Sequence, residues 1–501
     1  MTRCLNWFII ACTIGFAAVP CIAQNEQQNL PPRSDIDEGG WWIIEDLEIP
    51  PAIHLETVSM LELDGGRVAI GTRRGEIWFV DGLLDDDLAA EYHLFAQGLH
   101  EVFGLARKDG VLYATQQAEV TRIIDEDGDG SADLYETVSA DWGFGSEHEF
   151  TFGSRFDPEG NIWVTLCLSG SYTSDYPFRG WCLRVNADGT TTPTCSGLRS
   201  PGGVGFNAAG IPFYTENQGP WNGACGLKEL RPGGFVGHPI SFPWYKLAPN
   251  MGPQPAQPTD GEDGRLHIDA ERIPELIPTS VVLPYKKMGQ SATAILLDES
   301  NGAFGPFGDQ LFVLDYTLSV VMRVTTEQVA GVWQGACYPF REGFSTGLLG
   351  GLLSSNGQLI VGGCCRGWPT RSREPYALQR LRWSGKTPLE ILEMKAKPDG
   401  FSVSFTKPID RTIAADPASY RMETYTHHYW RFYGSPEIDQ TTPTITEARV
   451  SEDGLRVDLV VNGLQQGHVH ELHLPGIQTT DGEKVLHPVA YYTLNQIPPW
   501  K

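Results

Sequence analysis

Six times along the chain a short apolar strand runs into a glycine-bearing turn and returns as a second strand. The units are residues 58–63 with 66–70, 102–106 with 110–114, the hairpin 150–164, 203–206 with 210–214, 293–296 with 310–314, and 350–353 with 357–361. In the third, Phe156 closes one strand, Asp157-Pro158-Glu159-Gly160 makes the turn, and Ile162 and Val164 alternate on the next strand. One such unit cannot bury its apolar face, whereas a ring of them can. Spacing between units is irregular through insertions, starting from the roughly 40–50 residues of known blade repeats. The chain has 56 Gly and 35 Pro in 501 residues, which favours many short strands over long helices. The expected fold is all-β, with a six-bladed β-propeller over residues 50–385.

From about Pro388 the pattern changes. Segments 401–405, 455–461 and 470–474 alternate with period two between turns at Asp399-Gly400, Asp453-Gly454 and Asp481-Gly482. This predicts an immunoglobulin/fibronectin-like β-sandwich over residues 386–501. Its aromatic-rich segment, with Tyr425, His427, His428, Tyr429, Trp430 and Tyr433, suits either a core that touches the propeller or a carbohydrate-stacking surface.

The N-terminus has the form of an export signal. Arg3 precedes an apolar run over 5–19, and Cys21-Ile22-Ala23 ends on a small residue, so residues 1–23 are expected to be removed. Residues 24–49 then form a polar lead-in, and the mature protein is periplasmic or extracellular. Of ten cysteines, seven remain after the signal: Cys167, Cys182, Cys195, Cys225, Cys337, Cys364 and Cys365. In an exported chain these are expected to be largely disulfide-bonded with one left over. The adjacent pair Cys364-Cys365 and pairings with Cys337 or Cys225 all remain open. Formal net charge is −25, which argues against nucleic acid or an anionic membrane surface as partner. No stretch beyond the signal supplies the roughly 20 apolar residues of a membrane span.

Residues 125–136 match the twelve-position calcium loop. Asp125, Asp127, Asp129, Asp133 and Glu136 stand at positions 1, 3, 5, 9 and 12, Ser131 at position 7, and Gly130 at the sharp-turn position. The residues before it, 120–124, read as a strand, so the loop is expected at the end of a blade hairpin and in a structural role.

His148, flanked by Glu147 and Glu149 just before the third hairpin, introduces candidate chemistry, because histidine titrates near neutrality. Three segments together resemble the soluble quinoprotein glucose/sorbosone dehydrogenase family. They are His148 with 155–164, the run Gly197-Leu198-Arg199-Ser200-Pro201-Gly202-Gly203, and Glu216-Asn217-Gln218-Gly219-Pro220 continuing to Gly237-His238-Pro239. Over nearly the whole mature length the chain also resembles a group of secreted proteins of planctomycete-type bacteria. That resemblance rests on Asn217-Gln218-Gly219-Pro220-Trp221, Phe304-Gly305-Pro306-Phe307, Gln334-Gly335-Ala336-Cys337 and Tyr433-Gly434-Ser435-Pro436-Glu437.

The quinoprotein resemblance implies pyrroloquinoline quinone and calcium as cofactors, an aldose as substrate and an external electron acceptor. It implies His148 as general base and Arg199 as partner of a quinone carboxylate. Gln218, Gly219 and Pro220 would hold cofactor, with the Gly219 and Pro220 carbonyls facing a second calcium. Asn217, Trp221 and Asn222 in the same loop are candidate substrate contacts. The chain departs from the family pattern at Ala224-Cys225, where an acidic pair is usual, at Ser200, where asparagine is usual, and at 346–353, which lacks late arginines. The residues also admit plainer roles: His148 as a hydrogen-bonded histidine at the mouth, Arg199 as a tie between blades through backbone carbonyls, Trp221 and Asn222 as caps of a long loop. Two functions follow, a sugar oxidoreductase and a non-redox carbohydrate-binding or carbohydrate-cleaving propeller.

Overall fold

The computed structural model describes residues 30–145 and 148–500. The export signal expected at 1–23 lies outside them. Each of the six expected hairpins supplies the first two, antiparallel strands of its own sheet. Sheets I to V begin with the inner strands Thr57–Glu62, Gly104–Lys108, Thr151–Phe156, Pro201–Phe206 and Ala292–Leu297, and sheet VI begins with Leu348–Leu353. Each inner strand lies against the next, and Leu348–Leu353 returns to Thr57–Glu62, so the sheets form a closed ring. Glycine permits the closest of these approaches. A Cβ on Gly104 would stand 2.8 Å from the Gly153 backbone of the neighbouring strand.

The ring closes with a strand that sequence reading assigned to the polar lead-in. Trp42–Asp46 is the outer strand of sheet VI, paired antiparallel with Tyr376–Trp383. Trp42 anchors it, buried against Phe340 at 4.8 Å between ring centroids and donating its indole N–H to the Phe304 carbonyl. Two amphipathic strands far apart in sequence thus meet, and local pattern could not announce the pairing.

The C-terminal strands also join the ring more intimately than a separate module would. Val332–Arg341 of sheet V pairs with Val489–Leu494, and the sheet continues through His468–His473, Arg421–Thr426 and Ile438–Thr441 to eight strands. A second sheet of Ile391–Lys397, Gly400–Phe405, Arg456–Asn462 and Thr444–Val450 covers it. Phe401, Val403 and Leu459 of the covering sheet pack in one core with Tyr338 of sheet V and Tyr492.

A buried ionic network locks the same junction. His487 holds Glu390 through Nδ1 at 2.6 Å and Glu38 through Nε2 at 3.0 Å, and Glu38 pairs with Arg341 at 3.0 Å. Glu38, Glu390 and His487 are all buried, and they come from the N-terminal segment, the linker and the last strands. Although burial opposes its charging, the two carboxylates raise the His487 pKa to about 9.

The disulfide expectation is corrected. All seven described cysteines are free. Cys167, Cys225 and Cys337 sit in different sheets and fill core positions as small apolar groups. Cys182 and Cys195 face each other across sheet III, each thiol turned to a backbone carbonyl. Burial pushes the thiols of Cys167, Cys195 and Cys225 up to about 12, so they are protonated and unreactive. No helix among the described residues is long and apolar enough to cross a membrane.

Candidate functional site

His148 and Arg199 each stand just ahead of an inner strand, Thr151–Phe156 and Pro201–Phe206, and therefore at the same end of the ring, its mouth. The loops between second and third strands open at this end too, carrying Ser171-Tyr172 from sheet III and 217–223 from sheet IV.

His148 is exposed, its ring near-parallel to Phe150 at 6.2 Å. Phe150 in turn packs on Phe103 and lies under the Arg73 guanidinium. The backbone beneath His148 is held by two fully buried charged residues that sequence reading passed over. Glu149 accepts the Ser169 hydroxyl and the Gly145 amide. Arg179 donates to the carbonyls of Gly143 (2.7 Å), Glu149 (2.7 Å), Phe150 (3.1 Å) and Gln117 (3.1 Å). Burial draws the Arg179 pKa down to about 10, which leaves it charged at neutral pH. Neither residue carries a local sequence signal, because an isolated Arg or Glu usually reads as a solvated surface group.

Arg199 is 5% exposed and committed to the protein. Its Nη1 donates to the Gln218 carbonyl at 2.6 Å and its Nε to the Ser171 carbonyl at 3.1 Å. Its own amide and that of Ser200 donate to the Glu216 carboxylate, at 2.9 and 2.7 Å, and the Tyr214 hydroxyl completes that cluster. The guanidinium lies 5.8 Å from the Tyr172 ring and 5.2 Å from the Tyr433 ring, a double cation–π contact. Gly219 makes this possible, since a Cβ there would fall 2.3 Å from the guanidinium carbon.

Tyr433 comes from the C-terminal part of the chain. Its segment 429–435 lies along the 219–223 loop. Trp221 donates its amide to the Trp430 carbonyl (2.7 Å), Gly434 to the Gly219 carbonyl (3.1 Å) and Ser435 to the Gly223 carbonyl (3.1 Å). The Tyr429 hydroxyl donates to the Gly237 carbonyl at 2.5 Å, and the Trp221 ring packs edge-on against Tyr429 at 5.1 Å. Asn222 is buried, donating to the Asn217 and Ala224 carbonyls, and its amide donates to Gly219. Asn217 faces the Cys225 thiol. Trp221 and Ser171 both hold φ near +60°, at 60° and 67°, a conformation costing roughly 1–3 kcal/mol that surrounding contacts must sustain.

These contacts bear directly on the quinone. A tricarboxylate cofactor with its calcium needs uncommitted cations and open carbonyl oxygens. Here two donors of Arg199 are spent on backbone carbonyls, the Gln218 carbonyl is taken by Arg199, and the Gly219 carbonyl accepts both Asn222 and Gly434. Cys225, in place of an acid, is a buried neutral thiol. With Arg199 partly spent, the Gly219 carbonyl saturated and a neutral thiol at position 225, the residues present fit the quinone and its calcium poorly.

The acidic loop lies between the third and fourth strands of sheet II, Val120–Ile124 and Leu134–Ser139, and hence at the end opposite the mouth. Asp125, Asp127 and Asp133 bring carboxylate oxygens within 4.8 Å of one another. Asp125 accepts the Gly128 and Gly130 amides, while Asp129 accepts that of Ser131. Glu136 is already on the last strand and turns to Arg122 at 2.9 Å instead.

No family model and no curated protein matches the chain. Among solved structures its neighbours include sugar dehydrogenases, two of them described with pyrroloquinoline quinone. The glucose-dehydrogenase oxidoreductase of Thermus thermophilus is 17% identical with a TM-score of 0.48, covering 68% of this chain and 99% of that one. The quinone-bound aldose sugar dehydrogenase of Streptomyces coelicolor is 14% identical, with a TM-score of 0.46 and coverage of 69% and 99%. The quinone domain of pyranose dehydrogenase from Coprinopsis cinerea is 12% identical, with a TM-score of 0.48 and coverage of 70% and 98%. At such identities no residue role passes from them to this chain.

Proposed function

We propose that the chain is an exported six-bladed β-propeller with an attached immunoglobulin-like sandwich, and that its mouth binds carbohydrate without redox chemistry. One observation carries this reading. Tyr172 and Tyr433, 55% and 52% exposed, stand 6.4 Å apart over the buried Arg199 and form an aromatic platform at the mouth. Exposed aromatic faces held rigid by a cation suit the C–H faces of a pyranose ring. Trp221, the residue expected to stack on sugar, packs under the 429–435 segment; the platform is instead Tyr172 and Tyr433. His148, exposed at the same end, would supply acid–base work on a bound glycan.

Binding to a panel of soluble polysaccharides tests this reading. Tyr172→Ala and Tyr433→Ala are each expected to weaken binding by about tenfold or more, with unchanged circular dichroism. Retention of wild-type binding in both variants would refute the platform.

We further propose that Asp125, Asp127, Asp129 and Asp133 hold a calcium ion in a structural role, at affinities of about 10⁻⁴–10⁻³ M. The Ala132 amide donates to the Phe95 carbonyl of sheet I at 2.8 Å, so an ordered loop also ties sheets I and II together. At millimolar calcium the thermal midpoint of the wild type is expected to rise by a few degrees over the chelated protein. Asp125→Asn with Asp127→Asn should abolish that rise, and an equal rise in the double variant contradicts the assignment.

A further inference from the structure

Behind the mouth the central channel is closed by an apolar plug. Val58, Phe103 and Phe152 pack together there with Phe150, Val204 and Leu349, contributed by five of the six sheets. Beyond the plug, at the end carrying the hairpin turns, the inner strands enclose a cavity of about 380 Å³. That volume lies in the range of small-molecule sites. Its walls are mixed, with Met60, Leu105, Phe156, Leu297 and Leu353 forming the apolar part.

Three charged residues line this cavity, Arg155, Asp157 and Glu299, and the Asp157 carboxylate is taken up by Asn161 and the Trp163 indole. Among the described residues, neither the Arg155 guanidinium nor the Glu299 carboxylate makes a hydrogen bond or ion pair within the protein. Their neighbours differ: Glu62 accepts the Ser355 amide and hydroxyl, and Arg107 pairs with Asp64 at 2.7 Å. Glu299 and Glu62 are close enough for their charge to reach Arg155 without pairing with it. Arg155 and Glu299 are exposed at the open side of the cavity, an uncommitted cation and an uncommitted anion on one rim, and together they favour a ligand bearing both complementary signs. A simple carboxylate would meet Glu299 and Glu62 as like charges, in a chain of net charge −25. A simple amine would meet Arg155. A polyol would leave the apolar part of the walls unmatched.

We propose that the chamber binds a free α-amino acid with an apolar side chain. Arg155 takes the carboxylate through paired N–H donors, Glu299 takes the ammonium, and Met60, Leu105 and Phe156 contact the side chain. The plug separates this site from the mouth, so the two ligands bind independently.

Calorimetry on the full chain with L-leucine tests the proposal, against 4-methylpentanoate, which lacks the ammonium, 3-methylbutan-1-amine, which lacks the carboxylate, and myo-inositol. L-Leucine is expected to bind, with the three comparison compounds at least about tenfold weaker. Arg155→Leu and, as a milder change, Glu299→Gln should each weaken L-leucine by about tenfold, while Tyr433→Ala leaves it unchanged. Absence of L-leucine binding at millimolar concentration overturns the proposal, as does equal binding of either half-ligand or of inositol. Undiminished affinity in Glu299→Gln, or in folded Arg155→Leu, overturns it too.

Discussion

Replacing His487 by alanine lowers the unfolding free energy by about 3–5 kcal/mol, the range for removing one partner of a buried ion pair. The variant leaves Glu38 and Glu390 buried, with Glu390 stripped of its charged partner and Glu38 sharing only Arg341. Because these groups come from the N-terminal segment, the linker and the last strands, the loss is felt by ring and C-terminal strands together in one cooperative transition. The effect depends on pH in a defined direction. The folded pKa of His487, about 9, lies above that of a free histidine, so its stabilisation is complete below about pH 6.5 and is lost as pH rises through about 9. The stability gap between wild type and His487→Ala, measured by denaturant titration, therefore narrows by on the order of 3 kcal/mol between pH 6 and pH 10. A gap that is below 1 kcal/mol at pH 6, or that does not change with pH, contradicts a charged histidine at this junction.

Arg199→Met is the second large effect. Methionine keeps much of the side-chain volume but removes the donors that satisfy the Ser171 and Gln218 carbonyls and the cation between Tyr172 and Tyr433. Two carbonyls losing their donors and two cation–π contacts place the expected destabilisation at about 2–4 kcal/mol. Carbohydrate binding falls with it, because the two rings lose the group that spaces them. Arg199→Lys rescues neither property well, since a single ammonium cannot reproduce the planar fork. A residue whose business was a cofactor carboxylate would behave differently. Its loss would cost little stability in the cofactor-free protein, so a Tm within a degree of wild type for Arg199→Met would contradict a structural role for this arginine.

The contrast between what was and was not legible in sequence follows from range. The six hairpins are local objects: alternation of period two and glycine at the turn are written in consecutive residues, and each became the start of one sheet. His148 and Arg199 were also legible as residues placed ahead of inner strands. The closing strand Trp42–Asp46 was not, because its partner lies more than 300 residues away and its own five residues resemble any short apolar run. Continuity of Val332–Arg341 with Val489–Leu494 was hidden for the same reason. At the mouth, Tyr172 and Tyr433 acquire meaning only when the 429–435 segment folds over sheet IV, and Arg199 changes role when its carbonyl partners are seen. The free cysteines show the opposite failure. A rule about compartment suggested bonds, whereas the buried positions use cysteine as a small apolar side chain, even where Cys182 and Cys195 face each other in one sheet.

Whether the mouth serves a sugar or a quinone is decided most directly by one titration series. The purified full chain, saturated with calcium, is titrated by calorimetry with pyrroloquinoline quinone and then with the best polysaccharide of the panel, for wild type, Tyr433→Ala and His148→Ala. The expected result is no quinone binding in any of the three, and polysaccharide binding that Tyr433→Ala weakens by about tenfold or more. Stoichiometric quinone binding by the wild type, with aldose-dependent dye reduction that His148→Ala abolishes, would contradict it.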